Sequence, residues 1–254
     1  MKIRLKGFIF IFLIYSINVF SADDFMKNSE ITGKVMEFLG SIRYIRGDFK
    51  VINPSYTLTA GQGKVDEEKN LMEAYINVKL VQEKYTLECN KMIYYMDEEK
   101  AVATGEPIIN ETIKDTKETV IGKSKITGKR VVNYIKEDRV VVDDNVKIER
   151  FKFVDGKQEL DYNLFCDNLT YYNNTGKALA IGNVRIERVD STAYGDRLIF
   201  FEGENRIEIV GNASIERKTG DKVHGEKIIF FTEDERVIVF KAKAEVIPSS
   251  GASE

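Results

Sequence analysis

Apolar and polar positions alternate along most of this chain, and the alternation itself recurs. Six stretches beginning at Leu58, Leu87, Ile126, Leu164, Ala193 and Val223 align as one 25-residue unit. Their starts lie about 29 to 39 residues apart, a spacing that marks an array of supersecondary units. The clearest copies read LFCDNLTYYNNTGKALAIGNVRIER (Leu164 to Arg188) and AYGDRLIFFEGENRIEIVGNASIER (Ala193 to Arg217). Each places a small residue at position 3, an acid at 4, Leu at 6, an aromatic pair at 8 and 9, a polar turn, and then Gly-Asn within a second alternating run. In the last five units position 6 is Met92, Val131, Leu169, Leu198 and Ile228, and position 9 is Tyr95, Tyr134, Tyr172, Phe201 and Phe231.

A period of two predicts strands with one buried face. Ala178, Ala180, Val184 and Ile186 fall on one side of the alternation, Arg185 and Glu187 on the other. Polar stretches such as Asp97 to Lys100 and Asn173 to Gly176 supply hairpin turns. Only Pro54, Pro107 and Pro248 interrupt backbone pairing. Position-3 glycines Gly128, Gly195 and Gly225 read either as corners between layers or as turns that need positive φ. Positions 6 to 9, as in Leu198-Ile199-Phe200-Phe201, are apolar on both faces, so the outer face also needs a cover: a layer, the next strand's long side chains, a lipid or a partner. A partial seventh copy is expected at Gly40-Ser41-Ile42-Arg43-Tyr44, aligned with Gly182-Asn183-Val184-Arg185-Ile186. The last unit needs a one-residue slip after Phe240 to bring Ala244 and Val246 into phase.

At the N-terminus Lys2, Arg4 and Lys6 precede an apolar run from Phe8 to Phe20, broken only by Tyr15, Ser16 and Asn18, with Ser21 and Ala22 following. This is the layout of a secretory signal peptide. The run, about 13 residues, is shorter than the ~20 a spanning helix requires. Residues 1–22 are therefore expected to be cleaved in export, leaving 23–254 as a single β domain in the periplasm; retention as a membrane anchor is the other reading.

Composition narrows the chemistry. The net charge of −3 is spread evenly, with no basic footprint for nucleic acid. Cations recur at position 5 (Lys91, Arg130, Arg197, Lys227) and near unit ends (Arg150, Arg188, Arg217), as a solvated face or as a ladder for phosphate groups. The single histidine, His224, occupies a repeat column. No phosphate loop, nucleophile elbow, metal set or cofactor fingerprint is present, so neither a catalytic nor a metal site is expected. The two cysteines, Cys89 and Cys166, share position 3 two units apart; stacked strand pairs would hold them beyond the roughly 7 Å a disulfide permits, so free thiols are expected.

Behind a signal peptide, the elements Gly195-Asp196-Arg197-Leu198-Ile199-Phe200, Gly225-Glu226-Lys227-Ile228-Ile229-Phe230, Gly182-Asn183-Val184-Arg185-Ile186 and Gly211-Asn212-Ala213-Ser214-Ile215 resemble the OstA-like family of lipopolysaccharide-transport proteins, its LptA-type bridge above all. The resemblance implies an antiparallel β-jellyroll of repeated strand pairs, open at both end edges, that shields lipid A acyl chains and joins inner-membrane to outer-membrane transport components. On that basis the lipid-lining residues are expected at position 6 (Met92, Val131, Leu169, Leu198, Ile228), position 8 (Tyr94, Tyr171, Phe200, Phe230) and the following run (Val184, Ile186, Ile209, Ile215). Head-to-tail homo-oligomers are expected through edges at Ile42 and Tyr44 and at Val237, Ile238 and Val239. The same repeat pattern is compatible with an envelope scaffold, an adhesin or a glycan-binding module, with Tyr95, Tyr134 and Tyr172 stacking on sugars. A polysaccharide-cleaving enzyme would need convergent acids that the sequence does not show.

Overall fold

Residues 29–114, 118–231 and 236–245 are described by the computed structural model; the expected signal peptide, residues 1–22, and Val246 lie outside them. Apart from one 3-10 turn at Glu202–Glu204, the regular structure consists of strands belonging to one sheet. They are β1 (Glu30–Thr32), β2 (Val35–Leu39), β3 (Ile42–Asn53), β4 (Tyr56–Asp66), β5 (Leu71–Val81), β6 (Tyr85–Tyr95), β7 (Lys100–Thr104), β8 (Ile108–Lys114), β9 (Val120–Thr127), β10 (Arg130–Tyr134), β11 (Arg139–Val154), β12 (Lys157–Tyr172), β13 (Lys177–Glu187), β14 (Ser191–Phe201), β15 (Arg206–Arg217), β16 (Lys222–Phe231), β17 (Arg236–Phe240) and β18 (Lys243–Glu245).

Every pairing is antiparallel. Four short pairs act as halves of one strand: β1 and β2 both lie on β3, β7 and β8 on β6, β9 and β10 on β11, β17 and β18 on β16. The array is thus a meander of fourteen kinked strands, and the 25-residue unit is a hairpin, the later part of one strand followed by the whole of the next, as in β14 and β15.

The kinks line up across the array. Pairings slip register at mid-length, for example between Ile181/Val184 and between Val210/Ala213. At that level every second strand carries two consecutive left-handed residues: Gly47-Asp48, Ile76-Asn77, Gly105-Glu106, Asp144-Asn145, Gly182-Asn183 and Gly211-Asn212. Glycine and asparagine tolerate this conformation, and paired bulges bend a strand sharply. The recurring acid at position 4 explains itself here. Asp167 lies over Gly182, where a Cβ would sit 2.1 Å from its Oδ2, and accepts from the side-chain nitrogen of Asn183 at 2.9 Å; Asp196 does the same with Gly211 and Asn212.

Two expectations are corrected at this corner. Gly128, Gly195 and Gly225 lie at the bend, but none has φ in the left-handed range; they are needed for close approach, since a Cβ at Gly195 would sit 2.4 Å from Ile209 and one at Gly225 2.7 Å from the Phe240 carbonyl oxygen. The partial seventh copy was aligned on the wrong glycine. Gly40 belongs to the β2–β3 turn, and the counterpart of Gly182-Asn183 is Gly47-Asp48, seven residues on.

The column of kinks folds the sheet into two leaves. Leaf 1 holds β2, β7, β10, β17 and the adjoining halves of the long strands; leaf 2 holds β1, β8, β9, β18 and the other halves. Their inner faces form one continuous buried cluster, in which Phe49 of leaf 2 lies on Gly63 of leaf 1. This is an antiparallel β-jellyroll.

Candidate functional site

The interior is built from rows of side chains running across the strands, one residue per strand. In leaf 1 a first row passes through Ile45, Gly63, Ala74, Met92, Ala103, Val131, Val142, Leu169, Ala180, Leu198, Ile209, Ile228 and Val239, each directly opposite the next. A second, nearer the rim, runs from Val65 through Met72, Tyr94, Ala101, Asn133, Val140, Tyr171, Ala178, Phe200, Ile207 and Phe230 to Val237. In leaf 2 a third row links Val51, Leu58, Leu80, Leu87, Ile109, Ile126, Ile148, Leu164, Ile186, Ala193, Ile215 and Val223.

The repeat is therefore a readout of these rows: each unit starts in the third, and its positions 6 and 8 fall in the first and second. The thirteen residues expected to line the lipid are all buried in this interior, none of them more than 4% exposed. Burial on this scale is worth about 1.5–3 kcal/mol per large apolar side chain.

Leaf 1 also resolves what covers its outer face. At the hairpin within each of the last five units an outward aromatic at position 9 stands opposite a cation that opens the next strand. Lys100 lies over the Tyr95 ring, and Arg139, Arg206 and Arg236 lie 4.1 to 4.3 Å from the ring centroids of Tyr134, Phe201 and Phe231. Such pairs are worth about 0.5–1 kcal/mol at exposed sites. Three of the four position-5 cations are ion-paired on the same surface: Lys227 with Glu208 at 2.7 Å, Lys91 with Glu73 at 3.4 Å and Arg130 with Asp143.

The two ends of the array differ from expectation on one side. Ile42 and Tyr44 are not an edge: Leu39 and Glu37 of β2 lie opposite them, and β4 pairs on their other side. The reason is the misplaced repeat, which hid an additional strand ahead of β3. Among the described residues the N-terminal edge is β1 and β2, and β2 is exposed along its length, with Phe38 at 68% and Leu39 at 65%. Met36 opposite Ile45 carries the first row to this end, whereas Arg43, opposite Val65 and paired with Glu67, separates the second row from Phe38. At the other end β17 pairs with β16 alone among the described residues, and Val237 and Val239 stand half-buried against the core.

One inner row was not foreseen. Next to the third row, one step closer to the rim of leaf 2, Tyr85, Glu111, Ser124, Arg150 and Tyr162 stand directly opposite one another across five neighbouring strands. All five are buried. Arg150 Nη1 donates to Ser124 Oγ at 3.1 Å. Burial pushes the Glu111 carboxyl up to about 8 against the pull of Arg150 and Lys84, and Glu202 from the leaf 1 rim adds to the rise. Tyr171 Oη donates to Glu202 Oε2 at 3.2 Å. The signal was present in the sequence: counting the alternation one step past Ile109, Ile126, Ile148 and Leu164 turns Glu111, Ser124, Arg150 and Tyr162 inward. The unit-end grouping of Arg150 with Arg188 and Arg217 concealed it.

Cys89 and Cys166 are both free and buried, and burial raises each thiol to about 12. No cluster of His, Cys, Asp or Glu among the described residues is arranged to hold a metal ion.

Residues 138–236, which run from the start of β11 to the start of β17, match the model of the family described as LptA/(LptD N-terminal domain) LPS transport protein. The matched stretch contains the corners Asp144-Asn145, Gly182-Asn183 and Gly211-Asn212. Among solved structures, LptH, the LptA-homologous periplasmic component of the lipopolysaccharide transport device from Pseudomonas aeruginosa, aligns with 15% identity over 53% of this chain and 93% of its own, with a TM-score of 0.41. No curated sequence relative matches.

Proposed function

We propose that the protein is a periplasmic lipopolysaccharide-binding bridge: the three apolar rows hold lipid A acyl chains, and copies joined end to end span from inner-membrane to outer-membrane transport components. The observation that carries this reading is that row one carries no polar side chain through the array and, among the described residues, reaches both end strands, at Met36 and at Val239. A closed scaffold would cap such a row, whereas Met36 is exposed on β2. The match of residues 138–236 to the model of a lipopolysaccharide-transport family supports the same ligand.

The rows are filled by their own side chains, so acyl chains enter by parting the leaves at their rims, with the kink column as hinge. End-to-end joining follows from strand parity. Fourteen is even, so β17 and β18 of one copy would run antiparallel to β2 and β1 of the next, leaf 1 meeting leaf 1, and unpaired edges recruit strands. Two different edges give a contact that propagates instead of closing.

Mass spectrometry of lipid that co-purifies from the periplasm tests the ligand: lipopolysaccharide supports the proposal, and a lipid-free protein that binds soluble glycans favours a glycan-binding module. Phe38→Lys tests assembly. It places a charge on an exposed edge without touching the core, so sedimentation should show loss of concentration-dependent oligomers with folding intact; oligomers unchanged by the substitution would place the interface elsewhere.

A further inference from the structure

We propose that the outer side of the corner at β13, β14 and β15 is a saccharide-binding site, on the surface of the sheet opposite the apolar rows and independent of the acyl-chain reading. Asn183 and Arg185 of β13, Tyr194, Gly195 and Asp196 of β14 and Asn212 of β15 line a hollow of about 400 Å³. Its shape follows from the corner. Gly195, where a Cβ would sit 2.4 Å from Ile209, contributes only backbone, and Asn183 and Asn212, both exposed at left-handed corners, stand on the strands to either side of it. The corner of β5 and β6 carries a similar hollow of about 350 Å³, with Lys79, Glu88 and Asn90 where Arg185, Tyr194 and Asp196 stand. The shape thus belongs to the fold, and the ligand to the choice of residues.

That choice points to a sugar. Tyr194 is a large aromatic at an outward position, 37% exposed. Among the described residues no cation lies over its ring, whereas the rings of Tyr134, Phe201 and Phe231 each carry one. An exposed ring beside convergent polar groups in a concavity suits a ligand with an apolar face and a rim of hydroxyls, which is the chemistry of a pyranose. Asn212 Nδ2 donates to both oxygens of Asp196, at 3.2 and 3.1 Å, which fixes the carboxylate and leaves its oxygens further lone pairs to accept from hydroxyls. Asn183 is anchored in the same way by Asp167, at 3.1 and 2.9 Å. Groups held in place before the ligand arrives lose little freedom on binding. The same set disfavours an anion: Asp196 brings a negative charge to the hollow, and Arg185 is already paired with Glu187 at 2.9 Å and stacked 4.4 Å from the Phe165 ring centroid. Because the hollow lies outside the column of kinks that joins the leaves, a saccharide there and a lipid between the leaves are held at the same time.

Such a sugar has two sources in a cell envelope, the glycan strands of the wall and the oligosaccharide of lipopolysaccharide itself. Titration of the purified mature protein with soluble oligomers of N-acetylhexosamine, and separately with the lipid-free oligosaccharide released from lipopolysaccharide, tests the site and separates the sources. At least one probe should bind, and the one that does names the source. Tyr194→Ala should weaken that binding by about tenfold, and Tyr194→Phe, which keeps the ring, should change it by less than about threefold. Tyr134→Ala, at a ring already covered by Arg139, should leave it unchanged. Binding of neither probe, binding undiminished in Tyr194→Ala, or equal loss in Tyr134→Ala would overturn the site. If Tyr194→Ala does not fold, Asp196→Asn should weaken the binding, and undiminished binding in that variant would overturn the site. Co-purified lipid should be the same in Tyr194→Ala as in the unaltered protein, so that failure of the saccharide site and failure of the acyl-chain reading are read separately.

Discussion

Leaf 1 buries two rows that are apolar along nearly their whole length, whereas leaf 2 buries one such row and then, one step nearer its rim, the polar row from Tyr85 to Tyr162. Both leaves are made from the same strands, on either side of one column of kinks, with the same alternation. The difference is therefore one of residue choice, and it divides the labour. Leaf 1 is sealed outside by cation–aromatic pairs at its hairpins and presents hydrocarbon inside; leaf 2 adds a level of charge and hydroxyls near its rim.

The comparison breaks most severely if leaf 1's rows are truncated. Phe200→Ala, at the centre of row two and 1% exposed, should destabilise the fold by about 3–5 kcal/mol, read as a lower denaturant midpoint with an unchanged slope. A loss under about 1 kcal/mol would mean that row two is loosely packed in solution.

Leaf 2 should reveal itself by pH. Glu111 is held protonated by burial, up to about 8, above the roughly 4.3 of an unfolded glutamate. The folded state therefore binds more protons between these values, so the contribution is full below about pH 4 and is lost as pH rises toward 8, by a few kcal/mol at most. Glu111→Gln should flatten the dependence of unfolding free energy across pH 5 to 8. An equal slope in both proteins would remove Glu111 as its source. The smallest effect belongs to the outer face. Arg206→Ala uncovers Phe201 and breaks pairs with Glu204 and Glu208, and should cost about 0.5–1 kcal/mol with no change in lipid capture.

Much of this was legible in the sequence. The alternation in Ala178, Ala180, Val184 and Ile186 assigns the inner face correctly because Gly182-Asn183 inserts two residues and keeps the parity. In β14 the bulge exposes both Asp196 and Arg197, and parity changes there between Ala193 and Leu198; the repeat columns bridge that break where alternation alone would fail. The N-terminal edge was misread because Gly40 and Gly47 are both left-handed glycines followed by a polar residue, and only the pairing of Leu39 with Ile42 separates the turn from the corner. The polar row was missed because Glu111 and Arg150 are charged residues in an alternation where charge ordinarily marks the solvent side. The covers on Tyr134 and Phe201 are lateral contacts between neighbouring strands, visible in sequence only as a cation five residues after each aromatic.

Photo-crosslinking in cells tests most directly whether the inner rows carry the lipid. Crosslinkers at Leu198, Phe200, Ile209 and Ile215, on the buried side, should capture lipopolysaccharide; crosslinkers at Arg197 and Glu216, on the opposite alternation, should not. Equal capture from both sets, or none from the inner set while the outer set labels, would contradict an interior that shields acyl chains.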